Sequence, residues 1–103
     1  MASILDDIEG FDWDEGNSNK NWHRHRVTDA EGEQVFSNEP ILIGRDLSHS
    51  DIEDRYAARG VTDAERRLTV IFTIRRKQIR VISARDMTQR EERKYEEKIK
   101  RDS

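Results

Sequence analysis

The stretch LTVIFTIRRKQIRVISAR, residues Leu68 to Arg85, decides the fold. After Leu68, residues 69–74 are all β-branched or aromatic and free of glycine and proline, and Leu68, Val70, Phe72 and Ile74 fall on one face of an extended chain. That is the pattern of a central strand. Arg75-Arg76-Lys77 reads as a polar turn, and Gln78–Arg85 as a second strand with Ile79, Val81 and Ser83 on one face. Two apolar strands so close in sequence pair as an antiparallel hairpin. From Arg75 to Arg85 there are five cations and no acid, in a chain of formal net charge −3. That concentration of charge needs a reason.

Outward from the hairpin, the chain past Thr88 is helical, with Met87, Tyr95 and Ile99 on one stripe and charges elsewhere. Upstream, Phe11–Asp14 (FDWD) alternates aromatic with acid, the period of a short edge strand. Residues 15–26 are polar around a single large apolar side chain, Trp22, which suits a short surface helix. Thr28 and Glu31 have capping-box spacing ahead of a helix over Asp29–Phe36, and Ile41–Gly44 reads as a strand with Pro40 at its edge. Ser50/Glu53, Thr62/Glu65 and Thr88/Glu91 share the same spacing, so the motif alone places little. Local pattern makes DIEDRYAARG, residues 51–60, a helix ended by Gly60. Residues 1–10 lack periodicity and read as a flexible N-terminal arm, leaving 11–103 as one domain.

With 33% apolar and 40% charged residues, the core of this 103-residue chain must be thin. There is no cysteine, hence no disulfide and no thiolate metal site, which suits a reducing cytoplasm. No apolar run approaches the ~20 residues that span a bilayer, and the N-terminus lacks the basic start of a secretory signal. The expectation is a soluble intracellular domain with no membrane partner. Residues 1–54 carry a balance of −10 and residues 55–103 one of +7. Such polarity suits a basic surface for a polyanion, or two halves that neutralise each other across the fold.

Conventional catalytic motifs are absent. The five glycines form no phosphate loop, and His23 and His25, two apart, read as surface histidines before a metal pair. In a regular strand Arg80 and Arg85 lie on opposite faces, so only a bulge lets them share one. Arg75, Arg80 and Arg85 could line a rim of the sheet, where guanidinium groups bind phosphate through paired, charge-assisted bonds. The alternative is that Glu91, Glu92 and Glu96 of the next helix neutralise them.

FDWDEGNSNKNWHRHRVT (11–28), VFSNEP (35–40), HSDIEDRY (49–56) and RVISARDMTQREERKYEE (80–97), in that order, resemble the BrnT family of bacterial toxins, the toxin half of BrnT/BrnA type II toxin–antitoxin pairs. The resemblance implies a small RelE-like α+β fold, in the order β-α-α-β-β-β-β-α, with an antiparallel sheet of about four strands and helices packed on it. It places a strand, not a helix, through Arg55–Gly60, with Thr62–Arg66 as a hairpin turn. It implies a metal-independent endoribonuclease that needs no cofactor and arrests translation, restrained by a BrnA-like antitoxin through which alone it reaches operator DNA. Carried over by position, His25 matches the family's histidine as acid or base, and Arg24 its neighbouring cation. Arg80 and Arg85 match the strand arginines that clamp phosphate, with Arg75 beside them. Lys20 is a supporting cation, and Tyr95 a stacking or proton-relaying group. Three positions depart from the family: Arg26 where glycine is usual, Asn17 where lysine is common, and Arg59 at a commonly apolar strand site. A positive φ at Arg26 would strain it by roughly 1 kcal/mol or more. Two alternatives stay open: a catalytically weak relative that only binds its antitoxin and co-represses, and a non-catalytic RNA-binding domain.

Overall fold

The computed structural model describes residues 4–46 and 53–102. In chain order these form β1 (Gly10–Phe11), α1 (Lys20–His25), α2 (Asp29–Ser37), β2 (Leu42–Arg45), β3 (Tyr56–Val61), β4 (Arg67–Arg75), β5 (Gln78–Asp86) and α3 (Gln89–Asp102). One five-stranded sheet runs β1-β5-β4-β3-β2. The α+β class and element order follow the expectation, but the sheet is mixed, not a purely antiparallel one of about four strands. β1 pairs parallel to β5, and a two-residue strand is too short to announce its direction in sequence. No helix among the described residues is long and apolar enough to cross a membrane.

β4 is the spine. Leu68, Val70 and Phe72 are fully buried on the face that receives α2, where the Phe36 ring meets Phe72 edge-on at 5.0 Å and Phe11 meets Phe36 at 5.6 Å. Val27, Val35, Ile79, Val81 and Ala84 complete this core, and Leu5 and Ile8 of the N-terminal segment pack against it. Gly60 lets α2 come close: a Cβ there would stand 3.1 Å from Val35 Cγ1. Thr28 and Glu31 close a reciprocal capping box on α2, and Thr88 and Glu91 do the same on α3. Thr62 and Glu65 serve the turn between β3 and β4 instead, through Thr62 N–H to Arg66 O and Glu65 N–H to Thr62 O, both 2.9 Å. The Ser50/Glu53 match lies partly outside the described residues.

The helix that local pattern suggests over 51–60 is replaced from Tyr56 by β3, as the resemblance implies. Tyr56–Val61 pairs with Arg67–Phe72 on one side and, over Tyr56–Arg59, with Leu42–Arg45 on the other, and tertiary pairing outweighs a weak helical preference.

Two features of the last hairpin bear on function. Its turn is Arg76-Lys77, both at positive φ (51° and 65°), the geometry of a type I′ turn without the asparagine and glycine it favours. The strand pairing also slips. Ile71 faces Ser83 while Phe72 faces Val81, leaving Ile82 as an extra residue. Val81 and Ala84 are therefore both buried although three apart, and Ser83, expected beside Ile79 and Val81, turns to the opposite face. Arg80 and Arg85 pair with Thr73 and Thr69 of β4, which lie on one face, so the two arginines share it.

Replacing Arg76-Lys77 with Asn-Gly is expected to raise stability by about 1 kcal/mol, since each side chain at left-handed φ is strained by roughly that amount. The urea midpoint should move up at unchanged slope, and no shift would contradict the turn assignment.

Candidate functional site

The face of the sheet opposite α2 carries Arg80 and Arg85 on β5, Thr69, Ile71 and Thr73 on β4, and Arg59 on β3. A groove of about 600 Å³ runs over it, lined by Arg59, Thr69, Ile71, Ser83 and Arg85 among others. α1 packs along the free edge of β5. The buried side chains of Asn17 and Asn21 bind the β5 backbone beyond the end of β1: Asn17 Nδ2 donates to Val81 O at 3.1 Å, and Ala84 N–H donates to Asn21 Oδ1 at 2.9 Å. These residues flank the extra Ile82. Asn17 also donates to Asp12 O and accepts from Asp14 N–H. The departure at Asn17 therefore builds the fold instead of leaving a gap in the charge.

Three of the five cations of Arg75–Arg85, namely Arg75, Arg80 and Arg85, are paired, each with its own acid. Arg75 donates to both Glu53 oxygens at 3.1 and 2.9 Å. Arg80 donates to both Asp14 oxygens at 3.0 Å, with Asp12 at 3.4 Å. Arg85 donates to both Glu91 oxygens at 2.7 and 3.0 Å. Of the expected neutralising acids, Glu91 takes Arg85 and Glu96 takes Arg67, while Arg80 and Arg75 are met by the acidic first half of the chain. These bonds hold the Asp14, Glu53 and Glu91 carboxyls below the usual carboxylate range and raise the three arginines.

The three pairs differ in kind. Asp14 is 59% exposed, although the Arg80 side chain it meets is only 15% exposed. Glu91 is 14% exposed and also binds Arg59 at 3.2 Å, Thr69 Oγ1 at 3.0 Å and the Thr88 N–H at 2.9 Å. Arg59, at a commonly apolar position of the family, is thus a partner of this carboxylate.

Lys20, Arg24 and His25 sit together on α1. Lys20 and Arg24 are exposed and form no ion pair among the described residues. His25 is half-buried at the helix end. Its ring bonds neither Arg80 nor Arg85; the carboxylate it stands near is Asp86, which pairs with Leu68 and so lies on the α2 face of the sheet. Tyr95, expected to stack on RNA or relay a proton, is 1% exposed and donates its hydroxyl to Pro40 O at 2.5 Å. Burial raises its phenol pKa, and a ring so placed offers a base no face. It is a packing residue.

Arg66 is the residue sequence reasoning missed. Its guanidinium donates to the carbonyls of Arg26 (2.8 Å) and His25 (3.1 Å), to both Asp86 oxygens (2.7 and 3.0 Å) and to Glu31 (3.3 Å). It ties the end of α1 to β5 and α2, and so fixes where His25 stands. Its partners lie 20 to 41 residues away, and no local pattern announces them. Arg26 does have positive φ, 56°, so the strain expected of a non-glycine residue there is present. Among the described residues no three His, Asp or Glu side chains converge to hold a metal.

The family model for BrnT, the ribonuclease toxin of a type II toxin–antitoxin system, matches residues 13–91. The chain belongs to this family. Searched against curated proteins, the chain has no match. The BrnT match contains every candidate residue except Tyr95, which the structure places in the core. A type II system also implies an antitoxin partner for this BrnT chain.

Glu91→Gln removes one charge from a four-partner cluster. It should lower stability at neutral pH by about 2 kcal/mol, less than the ~3–5 of a fully buried pair because Arg85 is one-third exposed. A depressed carboxyl stabilises the fold above its unfolded pKa of about 4.3 and ceases to as pH falls through the folded value. The gap between wild type and variant in urea melts should therefore shrink below about pH 4. A constant gap would contradict the charge assignment.

Proposed function

We propose that this BrnT chain is an endoribonuclease that cleaves RNA without a metal, arrests translation in the cytoplasm, and is neutralised by a BrnA-like antitoxin, through which alone it meets operator DNA. One observation carries the proposal beyond family membership: the extra Ile82 in β5 turns Arg80 and Arg85 to one face, beside the helix that bears Lys20, Arg24 and His25.

The chemistry follows from what RNA supplies. The ribose 2′-hydroxyl attacks the adjacent phosphorus and the bond to the 5′ oxygen breaks, leaving a 2′,3′-cyclic phosphate and a 5′-hydroxyl. A base must take the 2′ proton, the departing oxygen must receive one, and the phosphorane's added charge needs cations. His25 is the acid or base. Imidazole is the side-chain type best suited to general acid–base work, and Arg66 holds the His25 backbone in place. Arg80 exchanges Asp14 for a phosphate oxygen. Arg85 stays on Glu91 and offers the phosphate its remaining donors, while Lys20, Arg24 and Arg75 track the flanking backbone.

A second reading, a module that only binds antitoxin, has one observation in its favour: Arg75, Arg80 and Arg85 are all engaged by carboxylates. Expression and cleavage separate the two. The purified chain should cut single-stranded RNA in the presence of a chelator and leave cyclic-phosphate ends. His25→Ala should slow this by about 10²- to 10⁴-fold. Arg80→Ala should weaken binding and lower the salt slope of log K by about 0.7. In cells, expression should arrest growth until the antitoxin is supplied. Tight antitoxin binding with neither arrest nor cleavage would leave the second reading alone.

A further inference from the structure

Among the described residues, Trp22 is the single exposed aromatic side chain, at 43%. Every other aromatic ring is buried or half-buried, and Trp13, the second tryptophan, spends its N–H on Glu33 at 2.6 Å. Trp22 has no packing duty of that kind. The Arg26 guanidinium instead lies over its ring, 5.2 Å from the centroid. The arrangement is fixed from below: the Arg26 amide bonds to Asn21 O and Trp22 O, and its carbonyl accepts from Arg66. A cation held at left-handed φ is thus pinned over an exposed indole. Around it α1 reads Lys-Asn-Trp-His-Arg-His, without an acid.

We infer that Trp22 is a stacking platform for an unpaired nucleobase of single-stranded RNA, seating the nucleotide next to the phosphate that His25 handles. The inference rests on the proposed ribonuclease activity and adds a substrate class to it. Residues three apart on a helix are neighbours, so a base on the Trp22 ring lies beside His25. The ring face left open by Arg26 takes the base, and the guanidinium beneath strengthens the stack. Lys20 and Arg24 supply charge to the backbone on either side. A duplex keeps its bases stacked on one another and cannot use the platform. A protein partner would meet an indole ringed by cations, whereas a polyanion with aromatic faces complements both features.

The test uses the full chain and a 2′-O-methyl oligoribonucleotide of about eight nucleotides, which occupies a site of this size and resists cleavage, beside a duplex of the same length. Wild type should bind the single strand with quenching of tryptophan emission. Trp22→Ala should lose about 5- to 150-fold in single-strand affinity, the range of one base–aromatic stack, and keep its duplex affinity. That retained duplex affinity also reports an intact fold. Trp22→Phe should restore binding to within about twofold without the quench.

Single-strand affinity unchanged in Trp22→Ala overturns the platform, as does equal loss for strand and duplex. Lost antitoxin affinity with RNA affinity kept overturns it too, and makes Trp22 a protein anchor. Full kcat/KM in Trp22→Ala would sink the platform and leave the ribonuclease standing. Quenching and selective binding without cleavage of unmodified RNA would do the reverse. No binding of either RNA would end both.

Discussion

Two asparagine side chains hold this molecule's working surface together. Asn17 and Asn21 bind Val81 and Ala84 of β5 where β1 has stopped pairing. Without them the outer edge of β5 would leave a donor and an acceptor unmet in a buried setting, at roughly 1–3 kcal/mol each. With them, α1 is docked along the strand and the extra Ile82 is bracketed on both sides. The slip at Ile82 keeps Val81 and Ala84 both in the core, and it turns Arg80 and Arg85 to a common face. A regular strand would have split them.

The charge pattern follows from the same geometry. The acidic first half of the chain wraps the edges of the basic hairpin, so Asp12 and Asp14 reach Arg80, Glu31 reaches Arg66, and Glu53 reaches Arg75. Much of the asymmetry between the halves is therefore consumed within the fold. What is left over is local. An exposed pair such as Arg75 with Glu53 contributes about 0–1 kcal/mol, whereas Glu91, with its four partners, is the most firmly held of these acids. The family's ribonuclease character is thus compatible with a surface whose arginines are occupied at rest.

The fold was largely legible. β4 announced itself through Leu68, Val70, Phe72 and Ile74, and Thr28/Glu31 marked a helix start that the structure contains. Other features were not. The slip at Ile82 has no signature, since Ile82 and Ser83 fit a regular strand as well as a bulged one, and it misassigned Ser83. β3 lies in a segment whose local pattern is helical, and long-range pairing overrode it. At the candidate site the types of residue could be named, but their partners could not. Asp14 with Arg80, Arg66 with the end of α1, and Tyr95 with Pro40 are contacts across 40 to 66 residues. Tyr95 fitted the core stripe and the stacking role equally well until its burial was known.

Amide exchange at Ala84 tests the account at its root. In the folded chain the Ala84 N–H should exchange as slowly as those of Val70 and Phe72 in the core strand, because Asn21 holds it and α1 covers it. In Asn21→Ala it should exchange through fast local opening while Val70 and Phe72 stay slow. An Ala84 amide that exchanges freely in the unmodified chain would mean that α1 is not docked on β5, and the placing of Lys20, Arg24 and His25 beside the Arg80–Arg85 strand would go with it.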